Sequence, residues 1–152
     1  MTDETIASIE YEALVFSRHL SGLPGHARRS RGTLDHSAYT LLNLLEVGGP
    51  ATISELAGIT DLDASTLSRQ TAALLRDGLA SRVANPEGGV ARKFEITEQG
   101  RVAVTEERDA SRAVLASIIG DWSAPNRESF AELLSQFNRA IEARSGRSWP
   151  RA

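Results

Sequence analysis

Thr52-Ile53-Ser54-Glu55-Leu56-Ala57 and, beyond Gly58 to Leu62, Asp63-Ala64-Ser65-Thr66-Leu67-Ser68-Arg69 decide how this chain folds. Thr52 followed three residues later by Glu55 fits a capping box, so a short helix opens there. It runs to about Gly58, Thr60-Asp61 turns the chain, and Asp63 caps a further helix that ends near Asp77-Gly78. The pattern is helix, tight turn, helix. At about 3.6 residues per turn, Leu67, Thr71, Leu74, Leu75 and Gly78 fall on one side of the second helix. Ser65, Thr66, Arg69, Gln70, Ala73 and Arg76 fall on the other. Short hydroxyl side chains, an amide, arginines and an alanine suit a major groove: Ser and Thr bond phosphates or base edges without bulk, Arg forks onto guanine, Gln onto adenine.

On the C-terminal side, Leu79 to Ala84 and Ala91 to Ile96 read as two short strands joined through Asn85-Pro86-Glu87-Gly88-Gly89-Val90 as a hairpin. From Ala64 to Lys93 there are five basic residues (Arg69, Arg76, Arg82, Arg92, Lys93) against two acidic ones (Asp77, Glu87). Thr97 caps a long helix expected to reach Asp121. After Ser123-Ala124-Pro125 a last helix carries Phe130, Leu133, Leu134, Phe137 and Ile141 on one face, and the tail from Ser145 is expected to fray. On the N-terminal side a helix is expected from Asp35 to Val47. Before it, Ile6, Ile9, Ala13, Phe16 and Leu20 make an apolar stripe, and a basic loop carries Arg28, Arg29 and Arg31. The two apolar stripes lack enough partners within one small chain.

Composition bounds the reading. The 152 residues are 41% hydrophobic, 24% charged and 5% aromatic, with a net charge of -3 from seventeen basic and twenty acidic side chains. That describes one soluble domain and excludes a globally basic nucleic-acid binder, but not a locally basic face. Without cysteine there are no disulfides or thiolate metal sites, and a reducing cytoplasm is allowed. No apolar run approaches the roughly 18 residues of a membrane span.

The ordered set Thr52-Ile53-Ser54-Glu55-Leu56-Ala57, Asp63 to Arg69, Leu74-Leu75-Arg76-Asp77-Gly78-Leu79 and Phe94-Glu95-Ile96-Thr97-Glu98-Gln99-Gly100 resembles the MarR family of winged helix-turn-helix regulators. The resemblance implies an α+β, mostly α, single chain over 1–152. A winged helix-turn-helix lobe would occupy 36–96, and dimerisation helices 1–24 and 97–145. It implies a homodimer on a double-stranded DNA operator, a cytoplasmic repressor released by a small-molecule effector. By position, Ser65, Thr66, Ser68 and Arg69 would contact DNA and Ser54 would lie near a phosphate; the polar face adds Gln70 and Arg76, and the returning strand Arg92 and Lys93. Two departures stand out. Asp61 occupies a turn position where the family usually has glycine, and the wing tip holds Gly88 and Gly89 where the family commonly has aspartate and arginine.

Other chemistry finds little footing. His19, His26 and His36 lack metal-ligand spacing. Asp35-His36-Ser37 is too local for a catalytic triad, no Gly-rich loop cradles a phosphate, and neither enzyme nor cofactor is expected. Tyr11, Phe16 and Tyr39, with Trp122, either line an aromatic-effector pocket, as the family implies, or are ordinary core. The rival function is a winged-helix protein-interaction module without DNA binding, suggested by the net charge and the bare wing tip.

Overall fold

The computed structural model describes residues 3–27 and 34–152, so the basic loop with Arg28, Arg29 and Arg31 lies outside the described residues. The described elements are α1 (Asp3–Leu20), α2 (His36–Gly48), α3 (Ile53–Thr60), α4 (Ala64–Arg76), β1 (Ala80–Val83), β2 (Lys93–Ile96), α5 (Glu98–Ile118) and α6 (Ala124–Ser145). Five helix starts are set by side-chain caps: Asp35, Thr52, Asp63, Thr97 and Ser123 each accept the backbone N–H three residues on. Each satisfies an amide that the helix itself leaves orphaned, and a cap such as the buried Thr52 contributes about 1 kcal/mol.

The capping box is only half formed. Thr52 Oγ1 accepts from Glu55 N at 3.1 Å, but the Glu55 carboxylate turns instead to Lys93 Nζ at 3.3 Å. The charge on a neighbouring strand outcompetes the neutral amide. Both strands are shorter than expected, and α5 stops at Ile118, where a turn closed by Trp122 N–H donating to the Ile119 carbonyl leads into α6.

The strands pair antiparallel, Ala80 opposite Ile96 and Arg82 opposite Phe94. A further bridge comes from outside the hairpin. Ala51, just before α3, exchanges both backbone hydrogen bonds with Phe94, at 3.1 and 2.8 Å. The start of the helix-turn-helix is therefore stitched to the wing. Leu41, Leu42 and Leu45 of α2, Leu56 of α3, Leu67 and Leu74 of α4, Phe94 and Ile96 of β2, and Ala103 and Val104 of α5 form one buried core. Gly100 seats α5 on this core: a Cβ there would lie 2.2 Å from the Leu79 carbonyl oxygen. Gly25 is required twice, by a φ of 76° and by the Tyr39 ring, which a Cβ would meet at 2.6 Å. Its N–H donates at 2.7 Å to the buried Glu107 carboxylate of α5.

By contrast, α1 and α6 bury no residue. Ile6, Ile9, Leu133, Phe137 and Ile141 all lie exposed on them. The tail does not fray. Trp149 N–H donates to Glu142 at 3.2 Å, Arg151 pairs with the same carboxylate, and Arg147 reaches Asp61 Oδ1 at 2.7 Å. No described helix is long and apolar enough to cross a membrane.

Candidate nucleic-acid interface

The anchored face of α4 is Leu67, Thr71 and Leu74, all buried, and the Thr71 hydroxyl is satisfied by the Leu67 carbonyl at 2.8 Å. Ser65, Ser68, Arg69 and Arg76 are exposed on the other side and Thr66 is half-buried. The turn that aims this helix is made by Asp61, whose φ of 60° is left-handed. A short side chain that bonds locally tolerates that conformation, and here Arg147 also holds it.

At the start of α4 the Asp63 carboxylate accepts from Ser65 Oγ at 2.6 Å and from Thr66 N at 2.7 Å. Those hydrogen bonds, the Ser65 hydroxyl first, hold its pKa down at about 2. The cap is therefore fully present above the ordinary carboxylate range, and would be lost only as pH falls towards 2. With its proton committed to Asp63, Ser65 has lone pairs left to accept from a base amino group. Arg69 Nη2 rests on Thr66 Oγ1 at 3.3 Å, a loose contact that leaves the guanidinium free to fork onto a new partner. Arg76 faces Asp77 at 3.9 Å with both side chains largely exposed, a weak surface pair easily exchanged for phosphate.

A groove of about 700 Å³ lies between the first turn of α3 and the wing. It brings Ser54, Arg82 and Arg92 together around one concavity. Arg82 is steadied by stacking over the Phe94 ring at 5.9 Å, its cross-strand neighbour. In the sequence Arg82 counts only as local charge. The antiparallel register, which sets it opposite Phe94, is what assigns it to the site.

Two of the expected contacts are placed otherwise. The Lys93 side chain is only 12% exposed and paired with Glu55, so its charge is already neutralised in the fold. Gln70 is half-buried, with Oε1 enclosed, and its side chain shares a cavity wall with Ser37 and Thr40 of α2. At the wing tip Gly88 and Gly89 take φ values of 83° and 102°, conformations that a side chain would strain, and Val90 beside them is wholly exposed.

The aromatic candidates do not converge within one chain. Tyr39 packs on Gly25 and tilts against His26 at 6.5 Å, Tyr11 and Phe16 lie on the open side of α1, and Trp122 meets Phe130 edge-on at 5.6 Å. Among the described residues these four rings make no contact with one another. His26 stacks on His36 at 5.8 Å, and its pKa is lowered, by burial first and by the neighbouring His36 second.

This arrangement has counterparts among known proteins. The MarR family profile matches residues 34–88, from the start of α2 to the wing tip. The uncharacterized HTH-type transcriptional regulator YxaD of Bacillus subtilis (strain 168) is 37% identical over 133 residues, covering 88% of this chain and 92% of that one. The chain belongs to the MarR family. Solved structures agree in fold: a MarR family protein from Bacillus stearothermophilus superposes with a TM-score of 0.81 at 20% identity, covering 93% of this chain and 98% of that one. RV1404 from Mycobacterium tuberculosis gives 0.74 at 20% identity, covering 99% and 100%. Among the described residues of this MarR-family chain, α2, α3 and α4 with the two-stranded sheet form a winged helix, α4 being the second helix of the helix-turn-helix and β1–β2 the wing, and α1, α5 and α6 flank it.

Proposed function

We propose that this MarR-family chain is a sequence-specific, DNA-binding transcriptional regulator that acts as a homodimer, represses by occupying an operator, and is released by a small molecule. The observation that carries this reading is the outward face of α4, which presents Ser65, Thr66, Ser68 and Arg69 on the second helix of a helix-turn-helix whose first helix and wing hold Ser54, Arg82 and Arg92 around one groove. The one set is able to read base edges and the other to take flanking phosphates, which is the division of labour a groove-reading helix needs. The unburied faces of α1 and α6 support a second copy as the partner that covers them. Release by a small molecule is supported by a structural neighbour, BpsR of Bordetella bronchiseptica, whose DNA binding is regulated by 6-hydroxynicotinic acid.

Selection of bound duplexes from a random DNA pool tests the reading. A nearly palindromic motif should emerge from the native protein, and Arg69→Ala should relax one position in each half-site. A pool that stays random after several rounds would contradict it. That outcome would favour the rival, a protein-binding winged helix, to which the fully exposed Val90 at a tip without cations lends its one specific support.

A further inference from the structure

The segment that follows α6 runs back along it and reaches the helix-turn-helix. Gly146 takes a left-handed φ of 69° and turns the chain. Trp149 N–H then donates to Glu142 Oε2 at 3.2 Å, and the Arg151 guanidinium pairs with the same carboxylate and donates to the Trp149 carbonyl at 3.1 Å. Residues 147–151 are thereby folded against the last turn of α6. Their other side faces the winged helix. The Pro150 ring stands 3.4 Å from where a Cβ on Gly48, at the end of α2, would be. Trp149, with 39% of its surface exposed, shares a cavity wall with Ser37 and Thr40 of α2 and with Thr60 and Leu62 on either side of the turn. Arg147 Nη2 reaches Asp61 Oδ1 at 2.7 Å.

What Arg147 holds matters more than how tightly it holds it. Asp61 is the one non-glycine residue with a positive φ among the described residues, and it ends α3 two positions before the Asp63 cap that opens α4. A β-carbon disfavours a left-handed φ, so the direction in which α4 leaves the turn rests on a residue under local strain. With side chains 37% and 72% exposed, the pair contributes at most about a five-fold preference. An isolated arginine would lose much of that to ordering its own side chain. Here the fold-back has already ordered the backbone beside it, which leaves less to be lost when the pair forms.

We propose that Arg147 is a positioning residue for DNA recognition, fixing through Asp61 the turn that aims α4 and so strapping α6 to the helix-turn-helix. The role in recognition rests on the reading of α4 as the helix that reads DNA; the hold on the turn does not. Arg147 acts on α4 at one remove, through the turn, and not as a contact to DNA.

In the full chain, Arg147→Ala should weaken binding to a selected duplex about three- to ten-fold, one strap being lost from each subunit, while the melting temperature and sedimentation coefficient stay those of the native protein. The Asp61 amide, which donates to the Ala57 carbonyl at 3.0 Å, should exchange its hydrogen about two- to five-fold faster with no DNA present. Glycine takes a left-handed φ without strain. In an Asp61→Gly background the further change Arg147→Ala should therefore leave DNA affinity, and its slope against log salt, where they were. A loss that persists in that background would overturn the positioning role, and a shallower salt slope beside it would make Arg147 a phosphate contact instead. Unchanged affinity in Arg147→Ala, or a loss matched by a lower melting temperature, would overturn it too. Should the native protein select no DNA sequence, the regulator reading fails alone and exchange judges the strap: a faster Asp61 amide upholds the hold on the turn, and an unchanged one refutes it. Sequence-specific binding by a native protein whose Arg147→Ala variant exchanges no faster would refute the strap and leave the regulator standing.

Discussion

The segment from Leu34 to Val104 and the two outer helices α1 and α6 differ in how they satisfy their apolar side chains. Every buried apolar side chain among the described residues lies in the first, where α2, α3, α4, the hairpin and the start of α5 close over one another. The outer helices have comparable apolar stripes and bury none of them. One half of the sequence encodes a structure complete in itself; the other encodes a surface. A pattern of apolar residues at helical spacing specifies that a face will be covered, but not whether by the same chain or by a copy of it.

The strongest way to break this contrast is to put charge on the open face. Leu133→Asp with Phe137→Asp on α6 should convert a dimer into monomers by sedimentation velocity, and weaken operator binding by about 100-fold or more, because two linked half-site contacts become one. A native protein that is already monomeric would end the distinction. A second comparison sharpens it. Leu67→Ala, at a fully buried site, should cost about 2–5 kcal/mol in an unfolding titration, because apolar burial is removed and a cavity remains. Ile9→Ala on α1 should act differently, lowering the melting temperature more at low protein concentration than at high, as expected for a contact made between subunits.

Smaller effects belong to the DNA face. Arg69→Ala should weaken binding to the selected site by about 1–3 kcal/mol while leaving the dimer folded. In the wing, Arg92 and Lys93 should part company. Arg92→Ala should make log affinity less steep in log salt by about 0.9 for every phosphate that is no longer neutralised, evenly across sequences. Lys93→Ala should leave that slope unchanged, since its charge is spent on Glu55. Equal slopes for the two variants would show that the Glu55 pair opens on DNA.

What was legible in the sequence follows the range of the interactions. Caps act over three residues, so Asp35, Thr52, Asp63, Thr97 and Ser123 could each be read from their neighbours, and the anchored face of α4 from its period. The isolated bridge at Ala51 could not, because backbone pairing leaves no mark in side-chain type. Nor could the choice of partner by charge. Glu55 turns to Lys93 rather than to Thr52, and Arg147 crosses 86 positions to hold Asp61. That long-range contact, with the bonds from Trp149 and Arg151 to Glu142, explains why a tail expected to fray is held in place. By helical angle alone Gln70 falls on the outward face; its position at the boundary, next to α2, is decided by tertiary packing.

The central claim is that α4 reads DNA in pairs, one recognition helix from each of two subunits joined through α1 and α6. Hydroxyl-radical footprinting on a selected duplex tests it most directly. The account predicts two equally protected patches on the same face of the DNA, their centres about 10 to 10.5 base pairs apart. Protection of a single half-site, or uniform protection without register, would contradict it.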